Sequence, residues 1–267
     1  MCELLAMSAR FPTTIHLSMD ELGRHGGGTG PHADGWGIGL LHDHAAQVIR
    51  EPLAAHGSDW LAFLQRQNPR SHMVIAHVRR ATIGERLLRN TQPYERELGG
   101  RAHLFAHNGM VHEIDADPRF ASRRFRPIGD TDSERAFCSL LERLAPLWDH
   151  GVPSLEDRLA TIVRFAAEMR ELGPANFVYS DGDAVFAHGH KRKNNQGITE
   201  PPGMHVLCRR CAAGVDGVQL AGITLDHEAQ QQVALVASVP LSAEGWSPLA
   251  EGEIVVLREG QIVRRVR

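Results

Sequence analysis

Four cysteines, Cys2, Cys138, Cys208 and Cys211, in a chain of 267 residues are too few for a disulfide scaffold. Charge of one sign is also missing. A formal charge of −3 leaves no electrostatic footprint for nucleic acid or an anionic membrane, so neither is an expected partner. No apolar run approaches the roughly 18 residues that a membrane-crossing helix needs. The N-terminus has an acidic third residue, Glu3, with neither a basic stretch nor an apolar one behind it, so no secretory signal is visible and the cytoplasm is the default location. The glycine-rich stretch His25–Pro31 is not followed by Gly-Lys-Ser/Thr, which argues against a phosphate cradle. There are 16 histidines, but His42 with His44 and His188 with His190 lack the i,i+4 spacing of a helical metal site, and a single Cys208-x-x-Cys211 supplies only two of a zinc's four ligands. No metal and no cofactor is expected. Linker-like tracts and internal repeats are absent too, which leaves one domain over 1–267.

What is present begins at the second residue. A cysteine directly after the initiator methionine becomes N-terminal when Met1 is removed, and then carries a thiol and a free α-amine together. With unperturbed values of about 8.5 and about 7.7–8.0, the amine is able to take the thiol proton near neutral pH. Position 2 taken alone suits better a small apolar residue packed in a first strand, and only the motifs further along overturn that.

Ser18-x-x-Glu21 reads as a capping box, with Gly23 closing a short helix. The glycines of the 25–31 loop run into Asp34-Gly-Trp36 and a strand over 36–41, paired with another near 46–50. Ser58 to Gln67 reads as an amphipathic helix and Met73–Val78 as a buried strand. His103–Val111 reads as strand, Asn108-Gly109 turn, strand. A second capping box, Thr131-x-x-Glu134, opens a helix with Phe137, Leu140, Leu141 and Leu144 on one stripe. Another helix spans Ser154–Leu172, stopped by Gly173-Pro174. Strands return over 177–187 around Asp181-Gly182, near 204–208, 217–224 and 232–238, and in a hairpin at Glu259-Gly260. Strands, then core helices, then strands indicate an α+β layered architecture in which two sheets are packed with helices.

Three stretches carry chemistry. His77-Val-Arg79-Arg80-Ala-Thr82 ends a buried strand in a guanidinium fork suited to bidentate capture of a carboxylate, or in two surface arginines. At His107-Asn108-Gly109, an amide and a backbone N–H can form an oxyanion hole, or an ordinary hairpin turn. In Asp130-Thr-Asp132-Ser-Glu134, the carboxylates either cap a helix or, at Asp132, bind an ammonium group. Together these would hold an amino acid whose side-chain carbonyl is attacked by Cys2.

Met-Cys2-Glu, the glycine loop into Asp34-Gly-Trp36-Gly, His-Val-Arg79-Arg-Ala-Thr82, Asn90-Thr-Gln-Pro93, His107-Asn-Gly109 and Thr131-Asp132-Ser-Glu134 resemble, in that order, the class II glutamine amidotransferases. These are N-terminal-nucleophile hydrolases that release ammonia from glutamine. The match is closest to their small stand-alone bacterial members. The resemblance implies a four-layer αββα sandwich of two mainly antiparallel sheets between helices. It implies Cys2 as nucleophile with its own amine as base, Asn108 and the Gly109 N–H as oxyanion hole, Arg79 and Thr82 on the glutamine α-carboxylate, and Asp132 with the Gly109 carbonyl on the α-ammonium. Gly26, Gly27, Gly28, Asp34 and Trp36 become a lid or the leaving-group side, which the loop at 25–36 and residues 190–203 would line. Arg80 and Ile83 stand where sugar-amidating relatives carry Trp and His, so a sugar acceptor is not implied. With no synthase domain following residue 267, a separate acceptor or synthase protein is the expected partner. Two alternatives stay open: hydrolysis of another γ-glutamyl amide, such as a γ-glutamyl peptide or thiol, and a non-catalytic regulatory subunit keeping the fold.

Overall fold

The computed structural model describes residues 2–14, 25–28, 30–194, 197–210, 218–220, 223–225, 231–243 and 245–267. The capping box at Ser18–Glu21 with Gly23, Met1 and Cys211 lie outside them.

Two antiparallel sheets stack face to face. The first takes β1 (Glu3–Thr14), β2 (Trp36–His42), β3 (Ala45–Glu51), β4 (Arg70–Val78), β11 (His205–Arg210), β14 (Gln232–Ala237) and β15 (Ser247–Pro248), in the order β15-β11-β14-β1-β4-β2-β3. The second takes β5 (Tyr94–Leu98), β6 (Arg101–Gly109), β7 (Ala175–Ser180), β8 (Val185–His188), β16 (Ile254–Arg258) and β17 (Gln261–Val266), in the order β17-β16-β8-β7-β6-β5. Two short ribbons, β9 (Arg192–Lys193) with β10 (Thr199–Glu200) and β12 (Val218–Leu220) with β13 (Ile223–Leu225), stand apart.

Side chains alternate across each strand, and this sorts the core into layers. Leu4, Ala6, Ile75, Leu104, Ala106, Val178, Val236 and Val255 fill the space between the sheets. Leu5, Met7, Trp36, Ile38, Val74 and Ala76 face the other way, against Leu61 and Leu64 of helix α1 (Asp59–Gln67). On the far side of the second sheet, Phe105, Phe177 and Tyr179 meet Phe137, Leu140, Leu141 and Leu144 of α2 (Asp132–Trp148) and Ile162, Phe165 and Met169 of α3 (Leu155–Leu172). The result is the αββα sandwich. Strands buried on both faces explain why Met73–Val78 reads as a continuous apolar run. Among the described residues no helix is long and apolar enough to cross a membrane.

Local signals set the helix ends. Ser58, Thr131 and Ser154 each cap a helix by accepting the N–H three residues on, at 3.1, 3.2 and 3.1 Å. Only half of the second capping box forms. The Glu134 carboxylate accepts from the Gly129 N–H (2.6 Å) and Arg96 (2.5 Å), tying the preceding loop and β5 to the helix start.

One expected turn is absent. Asn108 and Gly109 are the extended end of β6, paired with Asn176 and Ala175 of β7. Neither is among the residues at positive φ, as a type I′ turn requires, whereas Gly99 and Gly100 (φ +62° and +77°) supply the β5–β6 hairpin. The expected strand over 217–224 is two short strands, β12 and β13. Strand β5 had no sequence signal because its three central residues, Glu95, Arg96 and Glu97, are charged, as an edge strand tolerates.

Burial holds the His77 and His188 imidazoles down to about 3 and His103 down to about 4. In the unfolded chain they titrate near 6.5. Above that value neither state binds the proton and stability is unaffected. Below it the unfolded chain takes up protons that the folded one refuses, so stability falls by about 1.4 kcal/mol per pH unit for each histidine until the folded values are reached. The urea midpoint is therefore expected to drop steadily from pH 6.5 to pH 4. A flat midpoint over that range would mean that these rings are protonated in the fold.

Candidate functional site

Cys2 stands immediately before β1, which runs between β14 and β4 with Glu3 opposite Val78. That register brings the thiol to the end of β4. The Arg80 N–H donates to Sγ at 3.3 Å, and Sγ lies 3.4 Å from the Arg80 carbonyl, to which its own proton points. Cys2 is half-buried. Desolvation pushes the thiol above its ordinary value, while the Arg80 N–H and the Arg79 charge pull it down and Asp132 opposes them. Arg79 and Asp132, which flank the sulfur in sign, thus both lie within electrostatic reach of it.

Arg79 is buried at 3% exposure. Its Nη1 donates to the Glu85 and Asp34 carbonyls (3.1 and 3.5 Å) and Nη2 to those of Ile83 and Gly84 (2.9 and 3.0 Å). The expected bidentate fork is therefore already occupied by the backbone of 83–85, where three successive carbonyls converge, and among the described residues Nε alone meets no acceptor. Asp34 fixes this strand end from the other side. Its N–H donates to the Arg79 carbonyl (3.1 Å), its carboxylate accepts from the Ala81 N–H (2.8 Å) and it pairs with Arg86. Gly35 sits at φ +143° with Thr91 and the Glu51 carbonyl 3.2 Å from where a Cβ would stand, a position closed to other residues. Asn90 joins this loop to the next by accepting from the Asp130 N–H (2.8 Å) and donating to the Glu85 carbonyl (3.1 Å).

From the second sheet, the end of β6 brings His107, Asn108 and Gly109. The Gln92 side chain clamps His107 by accepting its N–H at 2.6 Å. Burial keeps the His107 ring below its ordinary value. The neutral ring bridges Ser133 Oγ (2.9 Å) and the Pro174 carbonyl (3.4 Å); the carbonyl can only accept, so Nε2 carries the proton. Asn108 is wholly buried, with Nδ2 3.2 Å from Ser238 Oγ and Oδ1 without a partner. Ser238 Oγ in turn accepts the Leu4 N–H at 3.1 Å, which places the Asn108 amide beside β1. At Gly109 a Cβ would lie 1.7 Å from the Pro174 carbonyl, so glycine is required by close approach rather than by φ. Asp132 opens α2 at 9% exposure. Its Oδ2 accepts the Val111 N–H and its Oδ1 the Ser133 N–H, both at 2.8 Å. Thr131, not Asp132, is the cap.

These elements rim an open cleft of about 1130 Å³. Thr82 and Gly109 are on its wall; Cys2, Arg79 and Asn108 are not, but are the chain neighbours of wall residues Glu3, Arg80 and Gly109, and Asp132 accepts the N–H of Val111, the neighbour of wall residue Met110. His25, Gly30, Pro31 and His32 also line it, as do Arg192, Lys193, Asn194, Gly197 and Thr199.

Trp36 belongs to neither lid nor cleft. It is wholly buried under the first sheet, its indole N–H donating to Glu51 at 2.9 Å, because the strand begins there and its inward phase is apolar. Gly26 and Gly27 pack on the 54–56 segment, with the Gly26 carbonyl taking the His56 N–H (3.3 Å), and Gly28 is exposed. None of the three glycines lines the cleft. Sequence reasoning missed the Glu3–His25 pair and the role of Gln92, whereas Arg192 falls in the 190–203 stretch expected on the leaving-group side. Only the charges near the chain start hinted at the pair. Among the described residues no group of three or more His, Cys, Asp or Glu side chains could hold a metal ion.

The model of the class-II glutamine amidotransferases matches residues 1–267. YafJ of Escherichia coli (strain K12), provisionally named a glutamine amidotransferase, is 34% identical over 258 residues, covering 95% of this chain and 96% of its own. A Haemophilus influenzae protein with the same provisional description is 30% identical over 271 residues, 100% of this chain and 87% of its own. The crystal structure of a predicted glutamine amidotransferase from Pseudomonas aeruginosa PA01 superimposes with a TM-score of 0.70 at 30% identity, over 98% of this chain and 100% of that one. At 16% identity, the glutamine phosphoribosylpyrophosphate amidotransferase of B. subtilis shares the fold, with a TM-score of 0.58 over 100% of this chain and 49% of that one.

Proposed function

The chain belongs to the class-II glutamine amidotransferases, and we propose that it cleaves the γ-carboxamide of glutamine with Cys2 as nucleophile. The observation that carries this reading is the Cys2 sulfur held at the β4 end by the Arg80 backbone, within electrostatic reach of both Arg79 and Asp132, on a strand whose Leu4 N–H shares the Ser238 hydroxyl with the Asn108 amide. Removal of Met1 frees the Cys2 α-amine. A thiol raised by burial needs such a base. The amine takes the thiol proton, the sulfur attacks the γ-carbon, and the tetrahedral oxyanion collapses to expel ammonia, which leaves with the proton returned by the α-ammonium. Water then attacks the γ-glutamyl thioester with the amine again as base, and glutamate departs.

Asn108 and the Gly109 N–H are the proposed oxyanion donors. Turning the Asn108 amide end over end lets its Oδ1 accept the Ser238 hydroxyl proton, which otherwise reaches only the Met204 sulfur at 3.6 Å, and frees Nδ2 for the oxyanion. The substrate α-carboxylate is assigned to Arg79 Nε and Thr82, and the ammonium to the unused lone pairs of Asp132 and the Gly109 carbonyl. Binding the carboxylate through the Arg79 fork requires the 83–85 carbonyls to yield their bonds.

The test is release of ammonia and glutamate from glutamine, with a glutamine-analogue diazo-ketone mapped by mass. Label on Cys2 alone is expected. Label on Cys138, Cys208 or Cys211, or no glutamate from any γ-glutamyl amide, would overturn the reading. Arg79→Ala is expected to raise KM about 10- to 100-fold with less effect on kcat, since a charge-assisted bond of roughly 1.5–3 kcal/mol is made alike in ground and transition states. A fall in kcat at constant KM would move Arg79 from binding to chemistry.

A further inference from the structure

The cleft is larger and more basic than glutamine requires. At about 1130 Å³ it lies above the roughly 300–1,000 Å³ of sites that hold drug-sized ligands. Three permanent cations, Arg80, Arg192 and Lys193, line it against one carboxylate, Glu3, and Glu3 is already paired with His25. Burial pushes the Glu3 carboxyl up, but the His25 contact and the surrounding charges hold it below its ordinary range.

Arg192 is placed by the same residues that hold Asn108. Its Nη1 donates to the Ser238 carbonyl at 3.2 Å, while the Ser238 hydroxyl contacts the Asn108 amide. The segment leading into β9 is anchored by Asn176, whose Nδ2 donates both to the Asn108 carbonyl (3.0 Å) and to the Lys191 carbonyl (2.7 Å). Arg192 Nε is buried without an acceptor. Arg80 is exposed on the wall, and its backbone N–H touches the Cys2 sulfur. Two arginines therefore line the cleft that adjoins Cys2, and the proposed grip on the glutamyl half uses neither.

Building on the glutaminase reading above, we propose that the leaving-group side of this cleft is an anion site, and that the preferred substrate is a γ-glutamyl amide whose amine carries a carboxylate or phosphate-like group received by Arg192 and Arg80. The chemistry is unchanged. The γ C–N bond breaks, the thioester forms and is hydrolysed by water, and the amine leaves protonated from the Cys2 α-ammonium, its anionic group still on it.

The experiment compares kcat/KM for glutamine, γ-glutamylglycine, its neutral glycinamide counterpart, and γ-glutamyl-aminomethylphosphonate. γ-Glutamylglycine is expected to exceed the glycinamide by about tenfold or more, the effect of one charge-assisted bond. High salt and Arg192→Gln should both drive that ratio toward one, while Arg192→Lys should keep most of it. The phosphonate separates a carboxylate site from a phosphate site by which of the two anions gives the higher value. A ratio at or below one in the wild type overturns the proposal, as does Arg192→Gln lowering both substrates alike. Turnover of glutamine with neither dipeptide would overturn the anion site and leave the glutaminase standing. No turnover of any of the four would overturn the glutaminase reading itself.

Discussion

Cys2→Ala is expected to remove glutamine hydrolysis by about 10⁴-fold or more, the scale seen when a nucleophile acting within a catalytic unit is deleted. Among the described residues no other thiol lines the cleft. Cys138 is fully buried in the α2 core and Cys208 sits on β11. The fold should survive, because Cys2 lies just outside β1 and, among the described residues, its sulfur hydrogen-bonds to the Arg80 backbone alone. Cys2→Ser should fall nearly as far, since a hydroxyl is a weaker nucleophile for the same amine to activate. Ammonia release by the alanine variant at the wild-type rate, with a native thermal midpoint, would end the mechanism.

Asn108→Ala is expected to lower kcat by about 10²–10³-fold, or about 2.7–4 kcal/mol, with KM little changed. The distinction rests on timing. An oxyanion donor meets charge that exists only after attack, whereas the groups holding the amino-acid end meet full charges from the moment of binding. Asn108→Asp should be equally poor at neutral pH because it sets a carboxylate where negative charge develops. Ser238→Ala serves as the control for amide orientation: it leaves Asn108 in place but removes the hydroxyl that holds it. A raised KM at wild-type kcat for Asn108→Ala would make it a binding residue.

Much of this architecture was legible before any coordinates, and the reason differs by element. The helices announced themselves through Ser58, Thr131 and Ser154, whose hydroxyls cap as their spacing implies. The inner strands were visible because both of their faces are buried. Asn108-Gly109 misled because the dipeptide that favours a tight turn also suits a strand end where a neighbouring carbonyl leaves no space for a Cβ. Trp36 misled because proximity in sequence to a glycine loop says nothing about which face of the next strand a side chain takes. The Arg79 fork was readable as a buried cation at a strand end, but its saturation by residues 83–85 depends on a loop path that no local pattern encodes. The basic wall brings together residues 80 and 192, a separation that periodicity cannot bridge.

Strand β1, which follows Cys2, lies in the interior of its sheet, and one of its two neighbours is made very late. Leu5 pairs with Ala237, so the hydrogen-bonding partner on that side is synthesised after almost the whole chain. At roughly 5–20 residues per second, a ribosome takes on the order of ten to fifty seconds between the two. During that interval Cys2 has neither β14 beside it nor Ser238 to hold the Asn108 amide. If Met1 is removed as the proposed mechanism requires, the N-terminus would be open to that removal before β14 and Ser238 exist, and a chain stalled before residue 232 would carry a thiol without the proposed site. Order of synthesis would then separate maturation from activity.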